Sequence, residues 1–204
     1  MKKIFLGVAL LTLIASACKK KENDPSIVAS VSFPTIALSN NGYFSIGVGG
    51  SLPSSSSVGS AYDSFYKAPY NLVLVDSTVN PLVPGMYYAT AFATNKYGFV
   101  SSSYYWVAVT NLPSNPPNLA GNWQLTGASA IFNTTVSSIG NGYYSTRNFA
   151  GAADTSAGLT SANFALITDS TIAFTDANYG LTGTVSLATG DTTMSYSSLT
   201  FTKH

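Results

Sequence analysis

Asn71-Leu-Val-Leu-Val-Asp76, Met86-Tyr-Tyr-Ala-Thr-Ala-Phe-Ala-Thr94 and the run from Phe99 to Val109, which contains Tyr104-Tyr105-Trp106, follow one another closely in the chain. Pro84-Gly85 and Asn95-Lys96-Tyr97-Gly98 separate them. Each run is rich in β-branched and aromatic residues and none carries a helix-period charged face, so each is expected to be a strand. The two separators are turn signals, because proline presets φ and glycine supplies a left-handed conformation at little steric cost. Three strands joined by two tight turns make an antiparallel meander, and the chain is expected to be all-β.

Upstream, the pattern continues as short strands with turn punctuation. Residues 27–38 alternate in part and are interrupted by Pro34, which suits an edge strand or one that switches sheets. Asn40-Asn41-Gly42 is expected to be a hairpin turn leading into Tyr43-Phe-Ser-Ile-Gly-Val48. The Gly/Ser-rich run over residues 49–60 is expected to be a polar surface loop. Pro84-Gly85-Met86-Tyr87 and Ala93-Thr94-Asn95-Lys96-Tyr97-Gly98 resemble the last strands of bacterial Ig-like domains. The resemblance implies an Ig-like β-sandwich over residues 27–110, with Tyr87 packing inward or closing the sheet and Gly98 at the left-handed turn position. The usual Ig disulfide is absent, since Cys18 is the single cysteine.

Downstream, Asn111-Leu-Pro-Ser-Asn-Pro-Pro-Asn118 holds three prolines in eight residues, which opposes helix and sheet and marks a linker. Residues 119–204 are expected to form a second antiparallel β domain, either a sandwich or a small barrel. Gly121-x-Trp123 resembles the first-strand signature of lipocalin-like barrels, although so short a segment requires strands below the usual length for eight of them. Phe201 places the terminal strand inside the sheet.

The N-terminus gives location. Lys2 and Lys3, the apolar run Ile4 to Ile14 and the small residues Ala15-Ser16-Ala17 form a secretory signal over residues 1–17. The apolar run is shorter than the roughly 20 residues a bilayer-spanning helix needs. With Cys18 directly after it, the segment resembles a bacterial lipoprotein signal, which implies lipidation of Cys18 by acyl chains such as palmitate. Ala15 stands where that signal usually has leucine. Residues 18–26 read as the lipidated cysteine and a flexible, charged tether. Glu22 and Asp24 in it resemble the surface-export signals of Bacteroidota lipoproteins. The layout as a whole resembles Bacteroidota outer-membrane lipoproteins of unknown function, which implies a lipid-anchored protein at the outer membrane, on the cell surface or on its periplasmic face.

Composition narrows the chemistry. After residue 17 there are seven Lys and Arg against eight Asp and Glu, so there is no electrostatic case for nucleic acid. The only histidine is His204, which argues against a histidine base, a catalytic triad or a zinc cluster. The six aspartates beyond residue 24 fall in turns, where their side chains bond nearby backbone. Asp176-x-Asn178-x-Gly180 lacks the remaining ligands of a calcium loop. No catalytic residue, metal site or cofactor is therefore expected, and the protein is expected not to be an enzyme. Asp76-Ser77-Thr78, Asp169-Ser170-Thr171 and Asp191-Thr192-Thr193 resemble Bacteroidota O-glycosylation sites.

What remains is binding or assembly. Of the thirteen tyrosines and eleven phenylalanines most are expected in the core or in cross-strand pairs, but adjacent pairs such as Tyr104-Tyr105 must place one ring on each face of a sheet. Aromatic faces stack on sugars, and Tyr62, Tyr66 and Tyr105 are the candidate ligand-contacting residues. The expected function is a non-catalytic, membrane-anchored binding or accessory module for a glycan or surface complex. The alternative is a structural component of such a complex with no small-molecule ligand.

Overall fold

A computed structural model of the chain describes residues 31–126, 133–147, 161–175, 182–188, 191–196 and 199–204. Cys18, its tether, the small-residue loop at 151–158 and the Asp176-x-Asn178-x-Gly180 segment lie outside the described residues. From residue 33 the described residues belong to one compact unit. It is all-β.

Residues 33–110 build a two-sheet sandwich. One sheet has three strands in the order β1 (Thr35–Leu38), β3 (Gly59–Asp63), β4 (Ala68–Tyr70). The other has four, in the order β2 (Tyr43–Gly47), β7 (Val100–Thr110), β6 (Gly85–Thr94), β5 (Leu72–Val75). The meander is present as β5, β6 and β7, antiparallel throughout. Phe44, Leu72, Ala89, Ala91, Ala93, Tyr105, Val107 and Val109 from one sheet meet Ala61, Ile36 and Leu38 from the other in a single core. The alanines on β6 keep the inner face flat enough for the large rings of Phe44 and Tyr105 to meet edge to face at 5.7 Å.

The expected hairpin at Asn40-Asn41-Gly42 is not one. All three residues do take positive φ, 50°, 53° and 80°, but β1 and β2 do not pair with each other. The turn instead carries the chain from one sheet to the other, where β2 runs parallel to β7. Asn141-Gly142, with the same φ signature, does close an antiparallel hairpin between β9 (Asn133–Gly140) and β10 (Tyr143–Arg147). The Gly/Ser-rich run is also ordered. Ser54 caps a one-turn helix α1 (Ser55–Val58), and Val58 is fully buried in the sandwich core. A Cβ on Gly59 would lie 2.2 Å from the Ala37 carbonyl oxygen, so only glycine lets β3 start this close to β1.

Residues 121–203 close into a barrel. The strands β8 (Gly121–Thr126), β9, β10, β11 (Ser161–Leu166), β12 (Thr171–Phe174), β13 (Thr182–Ala188), β14 (Asp191–Tyr196) and β15 (Leu199–Lys203) each pair antiparallel with the next, and β15 pairs back onto β8. Of the two expected alternatives, the small barrel is the one formed. It fits because the strands are short, from four residues in β12 to eight in β9. Closure also removes the edges an open sheet exposes. Trp123, Val136, Phe164, Leu166, Ile172, Phe174, Met194 and Phe201 pack its core, and the Trp123 indole Nε1 donates to the Leu119 carbonyl at 2.9 Å.

Sandwich and barrel share a third cluster. Ala165, Ile167 and Ala173 face away from the barrel core and pack with Tyr143 against Ala108, Met86, Trp106 and Tyr43 of the sandwich. The Tyr143 hydroxyl donates to the Phe44 carbonyl at 2.8 Å, and the Asn163 side chain donates to the Tyr43 hydroxyl at 2.7 Å. At either end of the proline-rich segment, Leu112 and Leu119 pack onto the barrel core. The apolar runs Phe164-Ala-Leu-Ile167 and Ile172-Ala-Phe174 follow from this, since strands buried on both faces lose the polar alternation.

Candidate functional site

The three sequence candidates occupy three different environments. Tyr62 stands exposed on β3, in register with Thr35 and Pro69. Tyr66 lies in the 64–67 turn, its ring 5.0 Å from Phe65 and 4.7 Å from Tyr97. Partial burial in that cluster, with Tyr97 and Asp63 nearby, raises the Tyr66 phenol pKa, and Lys96 works against the rise. Tyr105 is only 1% exposed and has no ring face left for a ligand, so its expected role is corrected. The outward member of the pair is Tyr104, at 68% exposure.

Tyr104 belongs to an aromatic face that the sequence did not reveal. On the outer side of the four-stranded sheet, register sets side chains in rows across the strands. Tyr43, Trp106 and Tyr88 form one row, and Tyr104, Thr90 and Val75 the next. Ser102, Phe92 and Val73 form the third. Rows repeat about every 7 Å along a strand. Tyr88 meets Tyr104 at 6.3 Å and Trp106 at 6.1 Å, both edge to face. Hydroxyls of Thr90 and Ser102 alternate with the rings. The row before these, Ala108 with Met86, is covered by the barrel, so the barrel flanks one end of the face. Trp106 stands half-buried at that border.

Two side-chain hydrogen bonds tie the segment between β5 and β6 to β6. The Thr78 hydroxyl donates to the Tyr88 carbonyl. The Tyr87 hydroxyl donates to the Val83 carbonyl at 2.9 Å, and its ring packs against the sandwich core. Sequence parity alone left open whether Tyr104 or Tyr105 faced outward, because the register between β6 and β7 is fixed only by the fold. Among the described residues no three of His, Cys, Asp or Glu lie together to hold a metal. Ser77 and Ser170 lie exposed in their turns.

No protein-family model and no curated protein matches the chain. Among solved structures the chain is similar to a lipoprotein from Bacteroides thetaiotaomicron at 17% identity and a TM-score of 0.36, over 84% of this chain and 100% of that one. The functional reading rests on this chain's own residues.

Proposed function

We propose that this chain is a non-catalytic lipoprotein, anchored through Cys18 at the outer membrane and displayed at the cell surface, that binds glycans on the outer face of the four-stranded sheet. The observation that carries the reading is the outer face on which Tyr88, Trp106 and Tyr104 occupy adjacent rows, with the hydroxyls of Thr90 and Ser102 beside the rings. The apolar C–H faces of a pyranose rest on the negative face of an aromatic ring, while neighbouring hydroxyls bond the sugar's own. A stiff sheet offers such a surface with little ordering cost on binding. The signal segment, Cys18 and the charged tether support the anchored location.

Val73 and Val75, exposed on the edge strand β5 beside this face, favour a second reading, an assembly surface for another protein of the same complex. The two readings separate on a glycan array probed with the soluble chain beginning at residue 19, which lacks the signal and the lipidated cysteine. Binding to a saccharide, lost on Tyr104→Ala, supports the first. Binding to no saccharide supports the assembly role and overturns the first.

A further inference from the structure

The end of the sandwich away from the barrel carries a different chemistry. Beyond Asp24 the chain has four basic residues, Lys67, Lys96, Arg147 and Lys203. Two of them lie in adjoining turns, Lys67 in the 64–67 turn and Lys96 in the turn between β6 and β7. The Lys96 ammonium sits over two rings, 5.2 Å from the centroid of Tyr66 and 4.9 Å from that of Tyr97. Cation–π attraction holds it there, yet an ammonium on a ring face keeps N–H donors for an anion. Among the described residues no carboxylate forms an ion pair with it. The carboxylate of this region, Asp63, is fully buried and accepts from the backbone N–H groups of Phe65 and Tyr66 at 3.0 and 3.2 Å. Phe65 and Tyr97 are 55% and 58% exposed.

The turns are fixed before any ligand arrives. The Asn95 side-chain oxygen accepts from the N–H groups of Tyr97 and Phe99 at 3.0 and 3.1 Å. Gly98 takes φ +86° to complete the turn. A positioned cation, two solvent-facing rings and a negative charge withdrawn into the core fit one class of ligand, a sugar ring that carries an anion.

We propose that this tip is a second saccharide subsite, selective for acidic sugars. Lys96 meets the carboxylate or sulfate, and Tyr97 and Phe65 receive the ring. The inference shares with the preceding section the premise that the chain binds saccharides, but it uses other residues at the opposite end of β6 and β7.

Isothermal titration at low and physiological salt tests it, with pentagalacturonate, the fully methyl-esterified pentamer and a heparin-derived tetrasaccharide as probes. The proposal expects at least one acidic probe to bind, more weakly at higher salt, and the neutral ester to bind at least about tenfold less tightly. Carboxylate and sulfate preference follow from which acidic probe wins. Lys96→Gln and Tyr97→Ala should each lose about tenfold, whereas Tyr104→Ala should leave acidic binding intact. All three side chains are on the surface, and thermal melts confirm that each variant is folded. Absence of binding to both acidic probes overturns the proposal. So does equal affinity for the ester, or wild-type affinity in Lys96→Gln. Absence of neutral-glycan binding by the wild type, with acidic binding present, overturns the outer-face reading and leaves this one standing.

Discussion

The Asn95 side-chain amide donates to the buried Asp63 carboxylate at 3.2 Å, joining turns that lie 32 residues apart and on different sheets. Asp63 also organises its own turn through Phe65 and Tyr66, and Asn95 does the same for Tyr97 and Phe99. The pair is the internal frame on which the exposed rings of the tip are mounted.

Removing one partner leaves buried donors unsatisfied, which costs more than the bond itself contributes. Asp63→Ala should lose about 3 kcal/mol of stability, read as a lower urea midpoint at unchanged m-value. Asp63→Asn keeps an acceptor for the two turn N–H groups and should lose less. Equal losses for the two substitutions would contradict the role given to the acceptor.

Tyr143 ties barrel to sandwich through its bond to the Phe44 carbonyl. Tyr143→Phe should lose about 1 kcal/mol at neutral pH. Burial raises the Tyr143 phenol far above its ordinary value, opposed by a hydrogen bond from the Ala108 backbone. In the unfolded chain the phenol ionises near pH 10, while the folded protein keeps it protonated. Above that pH the folded state holds the extra proton, so stability falls as pH rises. The gap between wild type and Tyr143→Phe, full below pH 10, should therefore narrow above it in denaturant melts taken from pH 8 to 11. A gap that stays constant would contradict the assignment.

Gly59 and Gly47 make a matched pair. A Cβ at Gly59 meets the Ala37 carbonyl oxygen at 2.2 Å, whereas one at Gly47 meets nothing within 4 Å. Gly59→Ala should cost about 3 kcal/mol and Gly47→Ala less than about 0.5 kcal/mol, both measured by thermal unfolding.

The terminal strand β15 closes the barrel between β14 and β8, with Phe201 fully buried. Deleting residues 199–204 opens two edges and exposes the core around Trp123. The truncated chain should bind a hydrophobic dye and lose its near-UV aromatic signal, and a native-like near-UV spectrum would contradict barrel closure.

The sequence made the local elements legible and left their partners hidden. The meander of β5 to β7, the Asn95 to Gly98 turn and the placement of Phe201 inside the sheet followed from short-range chemistry. Asn41-Gly42 and Asn141-Gly142 show where that stops, because the same backbone conformation serves a sheet switch in one case and a hairpin in the other. Nothing local distinguishes them. The stretches that form β11 and β12 carried no partner information, and only the fold shows that their second face meets Ala108 and Trp106. Val58 was hidden for a similar reason: four serines in a row read as surface, and a single capped turn turns the next residue into the core. For the candidate site, the parity of Tyr104 and Tyr105 was open and the opposing residues on β6 could not be named.

Glycan binding on the outer face is tested most directly by titrating neutral oligosaccharides selected on an array into the mature protein and into Tyr88→Ala/Tyr104→Ala. Both rings are exposed, at 46% and 68%, so the double variant should melt close to wild type. The account predicts measurable binding by the wild type and a loss of about tenfold or more in the variant. Equal affinity in the two proteins, or no binding to any neutral oligosaccharide, would contradict it.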